Sequence, residues 1–202
     1  MALNANALTT LANAKAWLKI PTLETGTDGM VEMFINAASD DIEQYTQRKL
    51  KAQSHTETQH GRGSNAILLH EFPVNSITEL RIDPDSDFTD PATLIDPSDY
   101  RLEASSDCIF LLSRLFPRGY SNIRVIYNAG YSTVPSSLEQ ACLWITAFNH
   151  RIWETKNIAR PNKSKDGESV SYGQAWPDHI MAALNKFKRT EFPNINAPIW
   201  NV

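Results

Sequence analysis

The stretch from Asn122 to Glu154 constrains the fold most, because it joins a strand pattern to the strongest helix pattern in the chain. Apolar residues first alternate at the two-residue period of a pleated strand, at Ile123, Val125 and Tyr127. Asn128–Gly130 then predicts a turn, since asparagine and glycine tolerate turn backbone conformations. We therefore predict a strand, a tight turn and a helix in direct succession.

The helix of this stretch carries a wide apolar face. Ser136 and Glu139 have the spacing of a capping box, in which each side chain satisfies a free amide at the helix start. Apolar residues recur after them at three- and four-residue steps: Leu138, Ala141, Cys142, Ile145, Phe148 and Ile152. Trp144 and Trp153 lie beside that stripe and widen it. The pattern predicts a helix with packing partners on more than one side.

Further helices are predicted at both ends of the chain. Thr9 or Thr10 can cap a short helix that ends before Pro21, and a long helix is predicted from Thr27 or Asp28 to about Leu50. Pro177 is well placed as the first residue of a last helix that ends near Arg189.

Strand periodicity is confined to the middle of the chain, from about Ser54 to Tyr127. We expect a hairpin whose strands are His55–His60 and Ala66–Leu69, joined by a glycine turn. The other predicted strands are Ser76–Asp83, Tyr100–Glu103, Cys108–Leu112 and Ile123–Tyr127. The prediction is an α+β fold: helices from both chain ends pack as a bundle, and a small antiparallel sheet is inserted between them.

The length of 202 residues favours one domain, which we place at residues 1–189 with the β insertion at 53–128 and an extended C-terminal arm at 190–202. A hydrophobic content of 42% with 21% charged residues is typical of a globular protein, and no apolar run reaches membrane-spanning length. The first residues have no signal-peptide pattern, so we expect a protein made in the cytoplasm. Cys108 and Cys142 are flanked by apolar residues and are expected to be reduced and buried.

Charge is unevenly distributed along the chain, although the net charge is only −4. Ten acidic residues and two arginines lie between Glu71 and Asp107, whereas Arg151–Glu191 has an excess of basic residues. This polarity suits head-to-tail or stacked assembly, while a solvated acidic face is an equally good interpretation. The spacing of Asp83, Asp85 and Asp87 matches the start of an EF-hand, but Phe88 and Leu94 replace the required glycine and glutamate. A calcium site is therefore not expected, and neither the sequence nor its motifs predict a metal or cofactor.

Polar residues fill the stretch from Lys156 to Ala175, which carries Lys156, Arg160, Lys163 and Lys165. Lysine and arginine in such a loop can neutralise phosphates, but a mobile solvated loop is the favoured interpretation. The chain contains no nucleophile elbow and no metal-binding histidine spacing. His150 lies on the central helix and is interpreted as a partly buried or interface residue, not as a base.

The final residues, Thr190–Val202, contain two prolines and cannot form a helix. Their apolar content is high for a solvated tail, because Phe192, Ile195, Ile199 and Trp200 lie within thirteen positions. Prolines also lower the entropy that an extended segment loses when it docks. The tail is therefore predicted to be a binding arm, with a frayed terminus as the alternative.

The ordered set of motifs resembles the head–tail connector, or adaptor, proteins of tailed phages. Members begin with an LxxAKxWL helix, here Leu11–Leu18, and continue with a long helix that ends in an aromatic and basic stretch, here Tyr45–Lys49. A glycine turn then precedes an FPV step, here Phe72–Val74. The later motifs are YxAGY at Tyr127–Tyr131, VPxxLEQA at Val134–Ala141 and VSYG at Val170–Gly173. The resemblance covers nearly the whole chain, and the acidic insert, the polar loop and the apolar tail depart from the family pattern.

The resemblance implies a non-enzymatic virion protein at the head–tail interface. Such a subunit forms a ring, usually of twelve copies, beneath the portal protein, extends the DNA channel and docks the next tail or stopper component. Double-stranded DNA would pass through without specific binding, and no membrane would be involved. An enzyme with a dispersed active site and a DNA-binding regulator are the alternative functions.

Two sets of candidate site residues follow from this expectation. The portal-binding set lies in the tail and comprises Phe192, Pro193, Ile195, Pro198, Ile199 and Trp200. The channel-lining set comprises Asp83, Asp85, Asp87 and Asp90. No catalytic residue and no metal ligand is predicted.

Overall fold

The computed structural model describes residues 2–103, 107–155, 162–165, 168–171 and 176–188. Its helices are α1 (Leu11–Leu18), α2 (Asp28–Thr46), α3 (Ser136–Thr155) and α4 (Asp178–Asn185). The first six strands are β1 (Gln53–Gly61), β2 (Ala66–Leu68), β3 (Val74–Ile82), β4 (Tyr100–Glu103), β5 (Cys108–Leu111) and β6 (Gly119–Ala129). Two more strands, β7 (Asn162–Lys165) and β8 (Glu168–Ser171), follow α3. The predicted α+β class is confirmed, with helices near both ends and strands between them; the predicted C-terminal arm lies outside the described residues.

The chain divides into two compact units. The helical unit comprises the residues up to Arg48 together with those from Pro135 onward, and the β unit comprises Lys49–Val134. No helix in the described part of the chain is both long and apolar enough to cross a membrane.

The helical unit is built around α3, which contacts α1, α2 and α4. This confirms the prediction that its wide apolar face has more than one partner. Fully buried side chains from α2, α3 and α4 meet in its core, among them Ile35, Ile42, Leu138 and Leu184. The buried Cys142 thiol lies 3.6 Å from the Ser39 hydroxyl, and burial raises its pKa to about 11. A thiol of this kind stays protonated and unreactive at neutral pH.

The ends of three helices differ from the sequence predictions. Gln47 adopts a left-handed conformation (φ 56°) and ends α2 several residues before Leu50. α4 ends at Asn185 instead of near Arg189. The predicted capping box of α3 is wrong, because the Glu139 carboxylate accepts hydrogen bonds from the Thr9 hydroxyl (3.0 Å) and the Asn13 side-chain amide (2.7 Å). Glu139 therefore joins α3 to the start of α1.

The β unit contains two three-stranded antiparallel sheets instead of one. The strand orders are β1-β6-β3 and β2-β5-β4. The predicted hairpin of β1 with β2 is wrong, since β1 pairs with β6 and β2 pairs with β5. Buried apolar residues from both sheets form one core: Ile67, Leu69, Val74, Leu80, Ile95, Ile109, Leu111, Phe116, Ile123, Val125, Tyr127 and Ala129.

Two further expectations are corrected by the structure. β7 and β8 pair as an antiparallel hairpin within the stretch that was expected to be an unstructured polar loop. Their residues lack the apolar alternation by which strands are identified, so the pattern did not signal them. Both cysteines are free, as expected, but Cys108 is only half-buried.

Candidate interaction surfaces

The acidic segment, defined as residues 83–99, leaves the end of β3 and contains six aspartates and no basic residue. Asp83 is only 6% exposed. Its two carboxylate oxygens accept hydrogen bonds from the amides of Asp85 (2.9 Å) and Phe88 (2.7 Å). Asp83 therefore holds the turn after β3 and does not present its charge to solvent.

Side chains from β3 and β6 fasten this segment to the sheet. The Arg124 guanidinium lies 4.8 Å from the ring centroid of the buried Phe88, and Arg81 donates a hydrogen bond to the Asp90 carbonyl (3.0 Å). Both arginines also bind Glu79, at 2.6 Å from Arg81 and 3.1 Å from Arg124. The hydrogen bond from Arg81, helped by Arg124, lowers the pKa of Glu79, so its charge is retained at neutral pH.

The other three predicted channel-lining residues, Asp85, Asp87 and Asp90, are exposed. Hydrogen bonds from the side chain and backbone of Thr89 lower the pKa of Asp87. The Asp90 carboxylate accepts a hydrogen bond from the Ala92 amide (2.8 Å) at the start of a short 3-10 helix. The exposed part of the segment is therefore a fixed set of negative charges.

The described residues give no local support for metal binding. In the described parts of the chain, no three His, Cys, Asp or Glu side chains are grouped so that they can hold a metal ion. Both oxygens of Asp83, the first residue of the EF-hand-like spacing, are already used by backbone amides.

An apolar groove lies in the helical unit, between α3 and the start of α4. Its lining consists of Trp144, Ile145, Phe148, Trp176, Pro177 and Ile180. Among the described residues, those that line the groove are apolar or aromatic and none has a titratable side chain. His150, also on α3, is 7% exposed and packs its ring edge against Phe34, as expected for a structural histidine.

Several sequence predictions fall outside the described residues. The whole predicted portal-binding set is among them: Phe192, Pro193, Ile195, Pro198, Ile199 and Trp200. Lys156 and Arg160 also lie outside, while Lys163 and Lys165 belong to β7.

Sequence reasoning missed a second charged surface, which we call the arginine face. It is formed by the end of β1 with the β1–β2 turn, and by the β5–β6 connection with the start of β6. Its six exposed residues are His60, Arg62, Arg114, Leu115, Arg118 and Tyr120. One feature of the sequence could have revealed this face. Residues 58–70 and 108–122, which flank the acidic region Glu71–Asp107, contain no acidic residue. Neither stretch alone is basic enough to draw notice.

The comparisons with known proteins agree with this architecture. The family model of the head completion proteins matches residues 7–190. A chain from the neck of an empty gene transfer agent particle, computed with C6 symmetry, is 19% identical with a TM-score of 0.62, over 96% of this chain and 95% of that chain. A chain from the virion of a native gene transfer agent particle is 18% identical with a TM-score of 0.63. It covers 96% of this chain and 95% of its own length.

A third solved chain, from the neck of the native gene transfer agent particle computed with C12 symmetry, is 19% identical with a TM-score of 0.61. It covers 96% of this chain and 98% of its own length. No curated protein matches the sequence. At these identities the solved chains establish the shared fold.

The class of protein is set by the family model, since the solved chains at these identities establish only the fold. The chain belongs to the head completion protein family, whose model spans nearly its full length.

Proposed function

We propose that this protein is a connector subunit that forms a ring of twelve copies beneath the portal, extends the DNA channel and docks the next tail component. Family membership over residues 7–190 is the observation that carries the proposal. The fold is also shared with chains from particle necks whose structures were computed with C6 and C12 symmetry. A twelve-membered ring is compatible with both symmetries, because twelve is a multiple of six.

The exposed aspartates of the acidic segment are proposed to face or rim the channel. Asp85, Asp87 and Asp90 present fixed negative charge, and Asp87 keeps its charge well below neutral pH. Negative charge repels the phosphates of passing DNA, so the DNA slides without being gripped. Asp83 supports this arrangement from within, since its buried carboxylate orders the turn.

The C-terminal residues 190–202 are proposed to grip the portal or an adjoining subunit. Pro193 and Pro198 restrict the free segment, while Phe192, Ile195, Ile199 and Trp200 supply apolar anchors. Tryptophan is among the residues most enriched at binding hot spots. Trp200 is therefore the anchor expected to matter most.

Deletion of residues 191–202 tests this proposal. The truncated subunit should keep its thermal transition but fail to join portal-bearing heads in a sedimentation assay. Trp200→Ala should weaken attachment about 30-fold, equivalent to about 2 kcal/mol, whereas the neighbouring Asn201→Ala should have little effect. Attachment of the truncated subunit at wild-type affinity would refute the role of the arm. If electron microscopy of wild-type particles shows no ring at the neck, the connector assignment is refuted.

A further inference from the structure

The apolar groove of the helical unit is lined by aromatic side chains that stay partly exposed. Trp144 is 37% exposed, and Phe148 and Trp176 are half-buried. Ile145 and Ile180, which also line the groove, are buried. A concave site of aromatic and aliphatic side chains is typical of the places where proteins bind apolar ligands.

The aromatic walls of the groove are held in place by ring contacts. The Trp144 ring packs edge-on against His179, with centroids 5.3 Å apart, and the Trp176 ring packs against Tyr45 of α2 at 5.6 Å. A site that is already formed loses little conformational entropy when it is occupied. The groove is therefore ready to receive an apolar segment.

The C-terminal arm, residues 190–202, matches the groove in chemistry. None of the described residues that line the groove is charged. The arm carries its single charged side chain at Glu191, and Phe192–Val202 contains none. Burial of an unpaired charge is costly, so an uncharged apolar segment is the occupant that this lining accepts best.

The arm also starts close enough to reach the groove of its own chain. The last described range of the chain ends at Lys188, eight residues after Ile180. At the helical rise of 1.5 Å per residue, that separation is about 12 Å. An extended chain spans about 3.3 Å per residue, so Phe192 can lie up to about 13 Å and Ile195 up to about 23 Å from Lys188. Ile195 and the residues after it therefore reach the groove without strain.

A short tether favours the arm of the same chain over the arm of a second copy. A flexible linker of a few residues gives an effective concentration on the order of 1 mM. An arm that binds the groove with a dissociation constant of only about 0.1 mM therefore occupies it in about ten subunits for each one in which it is free.

We infer that the C-terminal arm of the free subunit occupies the groove between α3 and α4 of its own chain. The inference rests on the proposed binding role of the arm and adds the site that holds the arm before it binds. The docked arm is withheld from other free subunits, and the portal must displace it. An internal competitor of this strength lowers the apparent affinity of the arm for the portal about tenfold.

Binding of a fluorescein-labelled peptide of residues 190–202 to the full-length subunit tests the inference by fluorescence anisotropy. The arm variant replaces the four apolar anchors by Ser: Phe192, Ile195, Ile199 and Trp200. Its control replaces three polar residues of the same arm by Ser: Asn194, Asn196 and Asn201. The arm variant should bind the peptide at least about tenfold more tightly than wild type, because its groove is empty, and the control should match wild type.

Two substitutions on α3 show whether the groove is the binding site. Trp144→Lys, made in the arm variant, places a charge in the groove and should weaken peptide binding at least about tenfold. Trp153→Lys is the matched control, since that residue is 41% exposed on the same helix and does not line the groove. Circular dichroism checks the folding of each variant, and a peptide with the four anchors replaced by Ser should not bind even where Trp144→Lys unfolds the subunit.

Three results would overturn docking in the same chain. They are equal peptide binding by wild type and the arm variant, undiminished binding after Trp144→Lys in a folded subunit, and binding of the Ser-substituted peptide. Wild-type protein that gains the peptide affinity of the arm variant on dilution would assign the groove to the arm of a second copy. If the arm variant binds no peptide while Trp144→Lys abolishes attachment to portal-bearing heads, the groove belongs to the portal instead.

Attachment to portal-bearing heads separates this inference from the proposed function. Trp144→Lys alone leaves the arm intact and releases it, so this subunit should attach at least as tightly as wild type. Failure of docking with loss of attachment by the arm variant would overturn the groove contact and leave the portal-binding role. Docking in the groove with wild-type attachment by the arm variant would overturn the portal-binding role and leave the groove contact.

Discussion

Tyr127 concentrates several interactions of the β unit at one buried hydroxyl. The residue is 1% exposed, donates a hydrogen bond to the Glu57 carboxylate (2.8 Å) and accepts one from the Glu71 amide (3.1 Å). The Glu57 carboxylate also binds the His70 ring. Tyr127→Phe should lower the free energy of unfolding by about 1–3 kcal/mol, because Glu57 and the Glu71 amide lose a partner. Urea denaturation measures the loss, and Tyr120→Phe is the control, since that residue is 81% exposed.

Tyr127 also gives the fold a defined response to alkaline pH. Burial and the nearby Glu57 charge raise the pKa of Tyr127 well above its ordinary value. The folded state therefore favours the neutral phenol, and this contribution to stability is complete below about pH 10 and declines as the pH rises further. The stability difference between wild type and Tyr127→Phe should accordingly shrink above about pH 10. A difference that grows there would contradict the assignment.

At the scale of elements, Lys15 ties the end of α1 to the start of α2. It is 4% exposed; its ammonium lies 2.7 Å from the Asp28 carboxylate and 3.2 Å from the Thr22 carbonyl, and it also donates to the Glu24 carbonyl. Lys15→Met should lower the free energy of unfolding by about 2 kcal/mol, because these acceptors lose their donor and Asp28 is left only partly hydrated. Lys19→Met, at an exposed position four residues on, should change it by less than about 0.5 kcal/mol. Equal effects of the two substitutions in chemical denaturation would rule out the role of Lys15.

At the scale of the whole molecule, the β unit has the properties of an insertion that can fold by itself. Its core residues all come from Lys49–Val134, and its ends are adjacent because the Tyr131 amide donates to the Leu50 carbonyl (2.7 Å). The isolated segment 49–134 should therefore unfold cooperatively and give a β-type circular dichroism spectrum. Ile123→Asp, which places a charge in that core, should abolish the transition. A segment without any cooperative transition would show that it depends on the helical unit.

Local periodicity by itself determined the class of this fold and the positions of most of its elements. The three- and four-residue repeat of α3 and the alternation of β6 are properties of neighbouring residues, so they are visible before any tertiary contact is known. The same holds for the charge of the acidic segment, and for the apolar tail whose role remains a prediction.

Tertiary structure decided what depends on residues far apart in the chain. β1 has no local signal for its partner, since none of the buried core residues comes from it, and it pairs with β6 instead of the adjacent β2. Glu139 has the right spacing to cap its own helix, yet Thr9 and Asn13 occupy its carboxylate. The fold likewise buries Asp83, and it brings Gly63, the residue after Arg62, against the Arg118 side chain, so that two separate loops form one charged surface. Hydrogen bonding and charge act through space, and only the folded chain determines which groups are close enough to interact.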